Sequence, residues 1–207
     1  MAPLLTARYL SGVAKLRISY NAPVVLTFSI AAVVAFIVTQ TVPATQAWFV
    51  AYPRLGDVHS YVGLFTHTLG HASWDHLLGN LTFILLIGPI LEERHGSITL
   101  LFMMVMTALM TGLAAIVLSN GFVMGASGIV FMMILLGSLA NARGGEIPLT
   151  FLVVAIIYMG GEIVRAIHGH DNVSHMAHLV GGAVGAAFGF LGARVKRPAA
   201  KPVMPKI

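Results

Sequence analysis

Residues 125–139 read GASGIVFMMILLGSL, and this stretch decides what kind of molecule the chain forms. From Ile129 to Leu139 no side chain is charged, and Ser138 is the one hydroxyl. A segment that is apolar on every side offers no face to water, which suits a membrane helix. The rest of the chain decides for lipid. Of 207 residues 57% are hydrophobic and 9% charged, where a soluble domain carries about 25% charged residues. Apolar runs long enough to cross a bilayer recur along it, which predicts an all-α, multi-pass membrane protein.

Six runs are expected to span. The first goes from Val24 to Val42, the second from His76 to Leu91, and the third from Ile98 to Leu118. The fourth begins at Ser127 and stops near Asn141, and the fifth starts at Pro148 and weakens after Tyr158. The sixth runs from Ser174 to Val195. The expected organisation is a basic lead (residues 1–22), one membrane domain (23–195) and a basic tail (196–207). A basic lead before an apolar run also describes a signal peptide, with Thr45-Gln46-Ala47 as a possible cleavage site. Reading it as a first span keeps an even number of crossings. Both termini then share a side with ten of the twelve Lys and Arg residues, leaving Arg54 and Arg165 opposite. The excess of cations on cytoplasmic loops places both termini in the cytoplasm, and a prokaryotic inner membrane is the expected location. The basic balance is therefore a topology signal, and no nucleic-acid partner is expected.

Between the first two runs lies a loop of nearly thirty residues, Pro43 to Gly70, bearing Trp48, Phe49, Tyr52, Tyr61 and Phe65. Aromatic residues of this kind favour the headgroup region, so the loop is expected in the membrane interface. The sixth run has its own pattern. Ala177, Gly181, Gly185 and Gly189 recur every four residues and flatten one helix face. Such faces let membrane helices come into backbone contact.

Taken locally, Gly125-Ala126-Ser127-Gly128 has two readings. It is a serine-capped, closely packed helix start, or a nucleophile with backbone N–H donors beside it. The histidines narrow the choice, because an ionisable group within a membrane is read as functional. His67, His71, His76 and Asn80 surround the start of the second run, and His178 sits near the start of the sixth. His76 and Asn80 are four apart, on one helix face, and both can donate hydrogen bonds. Such a pair suits a developing oxyanion; it equally suits a polar contact between helices.

The chemistries open to these residues are few. There is no cysteine, hence no thiol nucleophile and no thiolate metal site. No His-Glu-x-x-His occurs, and the spacing from His71 to His76 turns those rings apart on a helix, so no metal is expected. Paired intramembrane aspartates are missing. Asp75, Glu162 and Asp171 lie near span ends with no orienting role to assign. A serine with a histidine base remains, and a dyad is chemically adequate.

Three motifs in this order resemble the rhomboid family of intramembrane serine proteases. Phe65-Thr66-His67-x-Leu69-x-His71 continues into His76-x-x-x-Asn80; Gly125-x-Ser127-Gly128 opens the fourth run; Ala177-His178-x-x-Gly181 opens the sixth. Glu92-x-Arg94-x-Gly96 fits as well. The resemblance covers residues 24–192 and implies a six-span rhomboid-like bundle with no cofactor. It implies that Ser127 is the nucleophile and His178 its base. His76, Asn80 and the Ser127 N–H would form the oxyanion hole, with Gly125 shaping the turn and His71 holding water and polar contacts. Gly128, Phe131 and Gly181 would support the site. The implied substrates are transmembrane segments of other proteins, met in the lipid bilayer.

Two positions depart from the family. A Trp-Arg pair often seen in the first loop is replaced by Val62-Gly63, which predicts a different loop anchor. The tyrosine often found four residues after the nucleophile is Phe131, which can stack on His178 but has no hydroxyl. Two further functions compete with proteolysis: a catalytically inactive rhomboid-like protein that binds transmembrane clients, and a small transporter with a histidine-lined path. Inactive relatives usually lack the serine or the histidine, and this chain has both. A transporter needs polar residues continuing through the membrane, whereas the fourth and sixth runs are apolar or glycine beyond Ser127 and His178.

Overall fold

A computed structural model of the chain describes residues 19–118, 121–139, 147–161, 163–164 and 172–194. The lead up to residue 18, residues 119–120, 140–146, 162 and 165–171, and the tail from 195 lie outside them. The α-helices among the described residues include α1 (Pro23–Thr41), α2 (Val58–Thr66), α3 (Trp74–His95), α4 (Ser97–Leu118), α5 (Ser127–Ser138), α6 (Leu149–Ala155) and α7 (Asn172–Arg194). A π-helical turn, Ile156–Gly160, prolongs α6.

Local chemistry sets the helix ends. Pro23 occupies the first turn of α1, where a missing N–H costs nothing. Ser73 caps α3 by accepting a hydrogen bond from the His76 N–H at 3.2 Å, so the helix starts at Trp74 rather than at the expected His76. Hydropathy passes over that first polar turn; the cap makes it helical. Gly96, at φ 83°, turns the chain from α3 into α4. Beside it the buried Glu92 carboxylate accepts from the Val24 and Val25 N–H groups, both at 3.0 Å, and from the Ser97 hydroxyl at 2.7 Å. One side chain thereby ties the starts of α1 and α4 to the end of α3.

Four of the described helices are long and apolar enough to cross a membrane: Pro23–Thr41, Trp74–His95, Ser97–Val117 and His175–Gly192. The fourth and fifth expected spans are shorter. α5 has 12 residues, about 18 Å at 1.5 Å per residue, against roughly 30 Å of hydrocarbon. Leu149–Gly160 is likewise an apolar helix below spanning length. α5 is short because it begins inside the protein: Val123, Gly125 and Ala126 ahead of it are already buried. From Gly128 to Leu136 every side of it is buried, as its all-round apolarity requires.

α7 packs against α5 more extensively than any other pair of elements. The glycine stripe is the reason. A methyl group at Gly181 would overlap the Gly128 carbonyl, and one at Gly185 would overlap the Met132 carbonyl. At Gly189 the neighbour is the Leu139 side chain.

The long loop is an ordered structure of its own. Pro43–Phe49 forms a 3-10 turn, and α2 starts at a capping box in which Ser60 N–H donates to Asp57 Oδ1 at 2.8 Å. At Val62-Gly63 the loop is held by backbone contact. Gly63 packs on the Val50 carbonyl, where no side chain fits, and the Thr66 hydroxyl donates to the Trp48 carbonyl. Ala51 and Val123 exchange two backbone hydrogen bonds, 2.9 and 3.0 Å, joining the loop to the segment that leads into α5. Trp48, Tyr61 and Phe65 stay exposed on it.

Candidate active site

Ser127 is the first helical residue of α5, and Ala126 holds the cap position without a side-chain hydrogen bond. Ser127 is therefore not a capping residue, while the close packing of the helix start holds. The N–H groups of the first helical turn have no partner within the helix, so they present positive charge beside the partly exposed serine.

Three elements bring side chains to this turn. From α3 come His76 and Asn80. Gly125, at φ 120°, runs so close to His76 that a β-carbon there would lie 2.6 Å from Cε1 and 2.7 Å from Nε2. Asn80 Nδ2 would be 3.8 Å from the same point. Only glycine combines this backbone angle with that approach. Asn80 is 7% exposed, and its Nδ2 makes no hydrogen bond to the protein. A buried amide donor without a partner is costly to keep, and it faces the turn two residues before Ser127.

From the loop come His67 and His71. His71 Nδ1–H donates to the Leu69 carbonyl at 3.2 Å, which leaves Nε2 to accept from the Ala126 N–H at 3.4 Å. Its ring meets His76 edge-on, with centroids 5.0 Å apart. What His71 touches is thus the backbone just before the serine. His67 is 1% exposed; Nδ1–H donates to the Gly63 carbonyl at 2.9 Å, and Nε2 lies 3.1 Å from the Thr111 hydroxyl on α4. The His67 carbonyl in turn accepts from Gly125 N–H at 2.9 Å. Sequence reasoning left His67 without a role; its place four residues after Gly63, on the same helix face, was the available signal. Burial pushes both imidazoles down to about 4, with the neighbouring His76 adding to the effect at His71, so both stay neutral near pH 7.

From α7 comes His178. Its ring stacks on Phe131 with centroids 4.5 Å apart and planes within 3°. Phe131 is four residues after Ser127, on the same face of α5, so the imidazole lies along the face that carries the serine. Gly128 and Gly181 hold the two backbones in contact beside it. The Phe131 departure therefore keeps the stacking surface and drops only the hydroxyl. Tyr158, on the π-helical turn, meets Phe131 edge-on with ring centroids 5.8 Å apart. Among the described residues no group of three His, Asp or Glu side chains comes together as a metal site.

Fold and site together define an all-helical integral membrane protein whose polar side chains converge on the first turn of a buried central helix. Residues 58–195 match the rhomboid domain family, and the chain belongs to that family. It is similar to Rhomboid protease GlpG of Haemophilus influenzae, 25% identical over 150 residues, covering 70% of this chain and 78% of that protein. Rhomboid-related protein 1 of Caenorhabditis elegans is 33% identical over 138 residues, 58% of this chain and 37% of the relative. Rhomboid-like protein 11, chloroplastic, of Arabidopsis thaliana is 28% identical over 139 residues, 58% of this chain and 48% of the relative. The chain thus spans under half the length of the worm and plant relatives.

Proposed function

We propose that this chain is an intramembrane serine endopeptidase that hydrolyses peptide bonds in or near transmembrane segments of other membrane proteins. The observation that carries the reading is the convergence on one helix turn: Ser127 opens α5, with the Phe131-stacked His178 on one side and His76 with the unpartnered Asn80 amide on the other. His178 takes the Ser127 hydroxyl proton as Oγ attacks the substrate carbonyl carbon. The oxyanion that forms is held by His76, the Asn80 amide and the Ser127 N–H. Collapse breaks the C–N bond, and the proton passes from His178 to the leaving amine. Water, deprotonated by the same imidazole, then hydrolyses the acyl-enzyme. No cofactor takes part. A helical peptide bond is shielded by its own hydrogen bonds, so segments rich in small or helix-weakening residues are the preferred substrates.

The six-span topology with both termini in the cytoplasm, and residence in a prokaryotic inner membrane, belong to the same proposal. So does the pairing of the serine with transmembrane substrates in the lipid bilayer. The similarity to a protein named a rhomboid protease supports the activity. The decisive experiment uses a fluorophosphonate probe on the detergent-solubilised protein. Labelling at Ser127 is expected, with no signal from Ser127→Ala or His178→Ala at unchanged melting temperature. Labelling of Ser127→Ala equal to the native chain overturns the assignment. A folded native chain that takes no label, yet captures transmembrane peptides, is a client-binding relative instead.

A further inference from the structure

A cavity of about 510 Å³ lies between the N-terminal halves of α1 and α4 and reaches the loop segment before α3. None of Ser127, His178, His76, Asn80 or His71 lines it. We propose that this groove binds one acyl chain of a membrane lipid, drawn from the leaflet at the Pro23 end of α1.

Its position comes first. α1 and α4 are both long and apolar enough to cross a membrane, and Glu92 holds their first turns side by side. The wall along α1 runs from Pro23 to Ala31, eight residue steps or about 12 Å. The space between two such helices is reached from the hydrocarbon phase.

Its chemistry excludes polar occupants. The polar side chains in the lining are Thr27, Thr66 and Thr68, and each hydroxyl is already paired. Thr27 Oγ1 is 2.9 Å from the Tyr20 hydroxyl, Thr66 donates to the Trp48 and Val62 carbonyls, and Thr68 donates to the Phe65 carbonyl at 3.0 Å. An unwound peptide in this groove would have its N–H and C=O groups unmet, which is prohibitive at this depth. Hydrocarbon needs no partner.

Its size suits a chain. An apolar cavity of about 150 Å³ takes up benzene, so the groove has room for a single flexible chain. The far end of that chain meets Leu69, between His67 and His71, and Ile129, two residues after Ser127. The occupant therefore supports from behind the segment that holds the candidate site, although its binding does not depend on catalysis.

Photocross-linking tests this. The purified protein is placed in phosphatidylcholine vesicles doped with a phosphatidylcholine that carries a diazirine at one chain end, and modified peptides are mapped by mass spectrometry. Labelling at Leu69, Met104 and Ile129 is expected to exceed that at the exposed Ile98, Ile156 and Ile157 by roughly fivefold or more. Ala31→Phe, and independently Val105→Phe, fill the groove and remove the excess, with thermal unfolding showing which variant is folded. Uniform labelling of the native chain, meaning a surrounding lipid shell only, overturns the proposal. Displacement of the label by a transmembrane substrate peptide overturns it too, since the groove would then serve the substrate.

Discussion

At the scale of single residues, the distinction that matters is between side chains that are satisfied and side chains that are not. His67 and His71 have partners for both ring nitrogens, and both hold backbone in place. Asn80 keeps a donor without one. That difference predicts distinct phenotypes. Asn80→Ala is expected to slow labelling of Ser127 by about 10²–10³-fold, the usual loss for an oxyanion donor, at an unchanged melting temperature. A stopped-flow or gel-based time course measures it; an unchanged rate would make Asn80 a packing residue. The motif spacings single out Ser127, His178, His76 and Asn80 as candidates, because side chains at four-residue intervals share a helix face. The contact of His67 with Gly63 was legible from their four-residue spacing, but its contact with Thr111 was not, since that partner is 44 residues away.

Among elements, the contact of α5 with α7 positions the imidazole. Gly181 has no room for a β-carbon against the Gly128 carbonyl, so Gly181→Ala must push the helices apart. The expected cost is about 1–3 kcal/mol, together with a fall in labelling as His178 moves away from Ser127. Thermal unfolding read beside probe labelling tests both; a variant with full activity and stability would show that the stripe does not set the approach. The four-residue repeat from Ala177 to Gly189 announced this face in the sequence. It did not announce the lengths of α5 and α6. Apolar composition marks a segment as buried without saying whether lipid or protein buries it, and α5 is surrounded by protein.

For the molecule as a whole, two predictions concern stability and orientation. His67 is neutral in the folded state, with its titration pushed by burial from 6.5 to about 4. Above pH 6.5 neither the folded nor the unfolded chain is protonated there, so stability is complete. Below it the unfolded chain takes up a proton that the folded chain refuses, and stability falls until about pH 4. His71 acts in the same direction over the same window. Melting temperature in detergent should hold steady from pH 8 to 7 and drop between pH 6.5 and 4.5; a flat profile contradicts the buried neutral pair. Orientation is testable because the chain has no cysteine. Lys201→Cys and Arg54→Cys should react with an impermeant maleimide from opposite sides of the membrane, the tail from the cytoplasm. Labelling of both from one side would refute the odd number of crossings, five, expected between them.

By itself the sequence determined the membrane class and the helix order, and it nominated the residues of the candidate site. Each of these follows from local rules: apolar length, capping and turn chemistry, and the periodicity that puts residues four apart on one face. Only the tertiary structure decided that α5 is a short, fully enclosed helix, that Ser127 starts it instead of capping it, and that Gly63 packs directly on the Val50 carbonyl. It also decided that His76 and Asn80 meet the serine turn at Gly125, and that a groove behind the site is apolar with its hydroxyls already spent. Those properties depend on how closely elements remote in sequence approach one another, and close packing, unlike periodicity, is not written in any one stretch of chain.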